Sequence, residues 1–315
     1  MRDRGRSART PVEIPRQGWR DILLRVWRKI GQDNASLIAA GIALNALLAV
    51  FPALAVTVAV YGLFSSPAGV AADMRSFYYL LPPGAAALIQ TQLQALASPA
   101  HPRLGFSAAV GAMIALWSAR QGIAAVITAT NIAYYEHDRR GFIHQTAIAL
   151  LLTVVAVLGF LAMMLLAVAV PLVLQVIPLG PVAAAAVLIC RWVLLWSFVV
   201  LALAVIYRYG PDREDAQWRW VTWGSASAAT LWLGGSLLFA LYVENINNYG
   251  IMYGALGGVV VLLMWFYLGG FALILGAQIN AEMERQTEVD TTDGPPLPMG
   301  QRGAYVADTL GPTAD

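Results

Sequence analysis

YGIMYGALGGVVVLLMWFYLGGFALILGAQINAEME, residues 249–284, is the stretch whose reading decides the fold. From Ile251 to Ile279 it carries no charge. An uncharged apolar run of about 18 residues or more is long enough to cross the hydrocarbon core as a helix. The run opens on a Tyr/Gly cluster and closes on Gln278, Asn280 and Glu282, so it reads as a span with a polar end.

The rest of the chain repeats the pattern. Of 315 residues, 59% are hydrophobic and 12% charged, with a mean hydropathy of +0.64. Soluble domains carry about 25% charged residues, so the chain falls in the membrane class. Further apolar runs predict spans at about 36–64, 104–126, 146–170, 182–207 and 220–242, which with 251–279 makes six. The expected architecture is all-α: a polytopic bundle of six transmembrane helices with added amphipathic interfacial helices. Leu104 to Tyr135 is too long for one upright span, so it is expected to tilt, to break near Gly122, or to protrude. Residues 65–103 read as two short amphipathic helices around Pro82 and Pro83.

The flanks are polar. Residues 1–17 read as a disordered basic arm and 285–315 as a disordered tail. Between the arm and the first span, Trp19, Ile22, Leu23, Val26, Trp27 and Ile30 recur at helical spacing. Arg20, Arg25, Arg28 and Lys29 lie off that stripe. This helix, 18–30, reads either as interfacial on an anionic leaflet or as docked on the protein's own polar end. With six spans, sixteen of the twenty Arg and Lys fall on one side, and Arg75 and Arg103 on the other. The positive-inside bias then puts both termini in the cytoplasm. The single Cys190 excludes an intrachain disulfide.

Charges inside spans are the candidate functional features. Arg120 and Arg191 each cost about 2.5–3.5 kcal/mol at mid-bilayer, so they face a cavity, find interhelical partners or snorkel. With Asn45, Gln121, Asn131, Tyr249 and Tyr253 they form a candidate polar cavity suited to an anionic group such as a lipid phosphate. Arg139, Arg140, Gln278, Asn280 and Glu282 form a candidate polar end, with Gln278, Asn280 and Glu282 anchored on Arg139 or Arg140. The spans hold no Asp or Glu, which argues against a proton relay. Gly250, Gly254 and Gly258, spaced by four, suit close helix packing. No Walker loop and no His/Asp metal spacing occurs, so no cofactor or metal is expected.

ALWSARQGIAAVITATNIAYYEHDRRGF (115–142), YRYGPDR (207–213) and the run 223–284 resemble the YihY/BrkB family of inner-membrane proteins. The resemblance implies six spans and a cytoplasmic-membrane location. It defines no catalytic residues, and it includes a historical ribonuclease BN label generally regarded as a misassignment. Leu44 and Asn45 depart from the aromatic pair common there. The sequence therefore points to a transporter or translocator of a small solute or lipid, with membrane lipids as partners and nucleic acid excluded. A non-transporting scaffold or envelope-integrity protein is the alternative.

Overall fold

The computed structural model describes residues 4–61, 104–176, 180–245 and 256–313. Helices α1 (Arg16–Gln32), α2 (Ala35–Tyr61), α3 (Leu104–Ala133), α4 (Phe142–Val176), α5 (Pro181–Tyr209), α6 (Trp218–Asn245), α7 (Gly257–Glu284) and α8 (Tyr305–Asp308) follow in order. Among the described residues there is no strand beyond an isolated bridge from Ala216 to Thr292. By length and composition, α4 to α7 can each cross a membrane. A fifth crossing arises if α1 and the start of α2, bent by 66° to each other, count as one broken span. The six expected spans are thus reached only in part. The expected interfacial pair in 65–103 and the Gly250–Gly254 spacing lie outside the described residues.

Helix α7 is the organising element. It packs on α6 and α2, and also on α1, α3 and α8. Its last turns are largely enclosed, with Ala277, Gln278, Asn280, Ala281, Glu282, Met283 and Glu284 buried. Tyr134, Tyr207, Val221, Ala277 and Ala281 form a core there, joined by Val306 of the tail. Farther along the bundle, large apolar side chains such as Leu158, Val193, Leu237 and Leu241 stay exposed. A surface of that kind needs an apolar solvent.

Where the helices begin and end follows local chemistry. Asn34 adopts φ 51° and ends α1, a conformation Asn takes at lower cost than most residues. Helix α3 runs unbroken through Gly122, so of the three alternatives the break does not occur. Helix α4 continues through Pro171, where a span end was expected. A proline there removes one backbone bond, which a bundle can re-satisfy.

Parts of both flanks expected to be disordered are packed against the bundle, while 293–301 stay exposed. Ala8 and Ile14 are buried with Ile22, Val26, Trp220 and Met283. Arg4 bonds Asp21 at 3.2 Å, and Arg6 donates to the carbonyls of Arg285 and Gly311 at 3.2 and 2.6 Å. In the tail, Arg302 donates to the carbonyls of Leu297, Ala307 and Glu288 at 3.0, 2.7 and 2.7 Å. Arg208 holds Asp293 at 2.7 Å, and Gln217 N–H bonds the Thr291 carbonyl at 2.9 Å. Polar partners elsewhere in the chain order segments too poor in apolar residues to order themselves. The two ends of the described chain therefore meet at one end of the bundle.

Helix α1 is also corrected. Arg25 and Lys29, read as off the apolar stripe, are buried. They share the inward face with Ile22 and Val26, at spacings of three and four. Leu23 and Trp27, read as part of the same stripe, are exposed at 55% and 77%.

Candidate functional site

The polar end of the bundle is built on Glu282, whose side chain is fully buried. One carboxylate oxygen accepts Arg25 Nε at 2.6 Å, and the other accepts the Tyr135 phenol at 2.7 Å and Arg285 Nη1 at 3.1 Å. Arg25 also donates to Gln286 Oε1 at 2.8 Å and to the Pro312 carbonyl at 3.1 Å. Tyr135 sits between two cations. The Lys29 ammonium lies 3.0 Å from the ring centroid, and the Arg285 guanidinium 4.6 Å from it. Lys29 pairs with Asp33 at 3.2 Å, and Asp33 accepts Gln278 Nε2 at 2.9 Å. Burial and then the Glu282 carboxylate push the Tyr135 phenol up, so it remains a donor. Tyr135 holds φ 61°, a left-handed backbone that is costly for an aromatic residue. Three cations thus face two carboxylates, joining α1, α7, the loop after α3 and the tail.

Beside this network, Arg213 makes a two-pronged pair with Glu284 at 3.0 and 2.7 Å, both side chains nearly inaccessible. Such forks add geometric specificity to charge. A third cluster joins two loops through Asn131, which accepts the Asp212 N–H at 2.8 Å and donates to Asp138 at 3.4 Å. Arg140 pairs with Asp138 at 3.0 Å and donates to the Gly210 carbonyl at 2.7 Å. The Arg139 N–H donates to Asp212 at 2.7 Å.

Burial raises Asp138, but its bonds to Arg140 and then Gln145 outweigh this and hold it below the usual carboxylate range. Asp290 behaves alike: burial raises it, and the Leu297 and Thr292 bonds outweigh that. A folded value below the unfolded one adds stability that is present above the ordinary 3.8. That stability is lost as pH falls through the lower folded values. Glu136 has the opposite sign, since burial raises it despite the Tyr305 N–H bond, so its protonation favours the folded state. Two depressed groups against one raised group predict loosening of the 136–145 loop and the tail in acid. Pepsin cleavage of residues 286–313 should rise steeply as pH drops below about 4; a flat profile would remove the role given to these carboxylates.

Between α4, α5, α6 and α7 lies a cleft of 520 Å³, lined by Leu152, Gly159, Phe198, Trp232, Gly269 and Leu273 among others. Among the described lining residues, Trp232 alone has a side chain with a polar atom. Val155 and Leu201, both lining and both exposed, mark its mouth on the apolar flank of the bundle. Its size falls within the roughly 300–1,000 Å³ of small-molecule sites.

Among the described residues, those of the predicted polar cavity are not brought together. Arg120 is buried, bonds Gln121 Oε1 and Thr146 Oγ1 at 3.2 and 2.9 Å, and lies over the Trp117 ring. Its long stem carries the guanidinium to the first turns of α4. Gln121 is exposed. Arg191 is half-buried beside the Trp192 ring. Asn45 donates back to the Gly41 carbonyl of its own helix at 2.9 Å, and Asn131 serves the loop cluster at the polar end. None of these five lines the cleft. Tyr249 and Tyr253 lie outside the described residues. Gln278, Asn280 and Glu282 are buried in the last turns of α7, with partners other than those expected. Arg139 and Arg140 bind Asp138 and Asp212, whereas Glu282 takes Arg25, Tyr135 and Arg285. Asn280 instead bonds the Gly224 N–H and the Val221 carbonyl at 2.7 and 3.0 Å.

A long central α7 thus runs from a charged, enclosed end into the apolar part of the bundle. The model of the family described as Virulence factor BrkB matches residues 26–298. The chain belongs to the BrkB family. The match takes in α2 to α7 with Lys29, Asp33, Tyr135, Glu282 and Arg285, and it begins one residue after Arg25. Among BrkB-type relatives, the chain is similar to the "Putative ribonuclease-like protein YfkH" of Bacillus subtilis. The two are 30% identical over 183 residues, 57% of this chain and 66% of that protein. It is also similar to the "UPF0761 membrane protein IL2447" of Idiomarina loihiensis, 32% identical over 88 residues, 28% of this chain and 30% of that protein. A third relative is a "UPF0761 membrane protein" of Albidiferax ferrireducens, 31% identical over 100 residues, 30% of this chain and 23% of that protein. The matched region thus spans just under two thirds of the first relative and a third or less of the other two. No solved structure matches this chain significantly.

Sequence reasoning passed over Arg25, Tyr135, Arg213, Glu284 and Arg285. One signal was available: Ile22, Arg25, Val26 and Lys29 share a helical face, and Glu282 follows a long uncharged run.

Proposed function

We propose that this BrkB-family chain is a non-enzymatic, six-span protein of the bacterial cytoplasmic membrane, both ends cytosolic, that binds a lipid and moves it across the bilayer. The apolar cleft between α4 and α7 is the observation that carries this reading. A lining that, among the described residues, has one indole as its sole polar side chain suits an acyl chain and offers nothing to replace the hydration of an ion or a polar solute. Its exposed mouth gives a lipid tail sideways entry without passing through water. The Arg/Lys bias supports the orientation, and the packing of α3 against α2, α4 and α7 supports a sixth span.

A membrane scaffold is the second reading. It is favoured by the network around Glu282, in which both carboxylate oxygens are bonded and four segments are tied together.

The test uses proteoliposomes containing a phospholipid with a photoactivatable acyl chain and a fluorescent-headgroup reporter. Labelling is expected on α5, α6 and α7 peptides lining the cleft, with reporter movement above protein-free vesicles. Ala202→Trp, which fills the cleft, should reduce both about tenfold or more, given that a blocked pocket loses most of its burial free energy. Labelling without movement would leave the scaffold. Absence of labelling would sink the cleft as a lipid site.

A further inference from the structure

Helix α1 uses only half of its apolar surface inside the protein. Ile22 and Val26 are buried against Trp220 and Met283. The opposite flank, formed by Arg16, Trp19, Arg20, Leu23, Leu24 and Trp27, lines a surface recess of 640 Å³. Leu23 and Trp27 are mostly exposed, and so are Arg16, Arg20 and Arg28. None of these three arginines has an ion pair among the described residues. The helix's one acidic residue, Asp21, faces inward and is held by Arg4.

Geometry says what meets this flank. The 66° bend after α1 swings it away from the direction of α2. Trp19 lies against Trp223 of α6, ring centroids 5.8 Å apart, and Trp223 is itself 44% exposed. Trp218 and Tyr209 are exposed as well and make an edge contact 6.3 Å apart. Aromatic residues cluster in this way where a bundle crosses the headgroup layer. The outer flank of α1 therefore continues the aromatic belt and adds three unpaired cations beside two apolar anchors.

We infer that the outer flank of α1 is a docking surface for the anionic headgroups of the membrane leaflet. Leu23 and Trp27 enter the boundary between headgroups and acyl chains, and Arg16, Arg20 and Arg28 hold the phosphates. Exposed tryptophan and leucine beside arginine is the composition that anchors interfacial helices. The buried cations Arg25 and Lys29 take no part, because Glu282 and Asp33 already hold them. This inference is independent of the cleft reading, since it concerns another face of the bundle.

The test is site-specific photocrosslinking of the full chain in nanodiscs with equal phosphatidylglycerol and phosphatidylcholine. p-Benzoylphenylalanine replaces Leu23, and mass spectrometry reads the captured headgroup. Phosphatidylglycerol adducts should exceed phosphatidylcholine adducts well beyond the bulk ratio. Arg16→Gln, Arg20→Gln and Arg28→Gln should each lower that excess by about fivefold, the factor for one arginine at an anionic surface. The three positions are exposed, so folding should be unaffected, and monodispersity on size exclusion checks that. Adducts in the bulk ratio would overturn the inference. So would capture of a second copy of the chain, or the lack of any lipid adduct.

Discussion

Glu282→Ala is expected to lower the unfolding free energy by about 3–5 kcal/mol, the range for breaking a buried ion pair by removing one partner. The carboxylate has no access to solvent and neutralises two guanidiniums that are themselves 6% and 11% exposed. Without it, Arg25 keeps neutral acceptors at Gln286 and Pro312 but loses its counter-charge, and Arg285 loses its only ion-pair partner among the described residues. The Tyr135 phenol also loses its acceptor while remaining wedged between two cations. Reversible unfolding in bicelles, followed by steric trapping, measures the loss. The paired replacement Arg25→Met with Glu282→Leu should recover a good part of it, because an apolar pair of similar volume needs no desolvation. Asp293→Ala provides the contrast. It also breaks an ion pair, with Arg208 at 2.7 Å, but Asp293 is 62% exposed. An exposed pair is screened by solvent and contributes far less than a buried one. Similar losses in both variants would mean that burial is not what gives the Glu282 network its weight.

That network also marks how far the sequence could be read. The stripe in α1 was legible as a helix, because periodicity is a property of one segment. Which side of the stripe turns inward was not, because Arg25 is drawn in by Glu282, 257 positions away. The tail was misread for the same reason. Its composition is that of a segment unable to bury enough apolar surface to fold. Thr287 nevertheless bonds the Ala8 carbonyl at 2.6 Å, and Thr291 bonds Glu284 at 2.7 Å. Composition describes what a segment brings and is blind to what the rest of the chain offers it. The polar cavity failed on a different point. Arg120 is costly at mid-bilayer, but a stem of that length reaches Thr146, so the charge need not stay where its Cα lies. The apolar cleft had no signal at all, since its lining is indistinguishable in sequence from ordinary lipid-facing Leu, Val and Ala.

Glycine spacing shows the same limit and gives the second large expected effect. Spacing in the sequence drew attention to Gly250, Gly254 and Gly258, the first two outside the described residues, whereas it is Gly224 of α6 and Gly276 of α7 that meet without room for a side chain. A Cβ on Gly224 would overlap the Gly276 carbonyl and the Asn280 amide. One on Gly276 would meet Tyr207 Oη at 2.5 Å, the Gly224 carbonyl at 2.6 Å and Ala228 Cβ at 2.7 Å. Backbone lies on both sides, so neither helix can yield by turning a side chain. Gly224→Ala and Gly276→Ala should each cost at least the ~1–3 kcal/mol of an overpacked core. Parting the helices would also pull Asn280 off the Gly224 N–H and the Val221 carbonyl, and the Tyr207 hydroxyl off the Leu273 carbonyl. Gly234 lies ten residues farther along α6, and nothing within 4 Å would meet its Cβ. There the same substitution removes only the excess freedom of glycine, and Gly234→Ala should stabilise by about 0.4–1 kcal/mol. Opposite signs for one substitution at two positions of one helix are a demanding outcome. If Gly224→Ala and Gly234→Ala shifted unfolding in the same direction, the close crossing of α6 and α7 would be wrong, and with it the placement of Asn280 at the base of the Glu282 network.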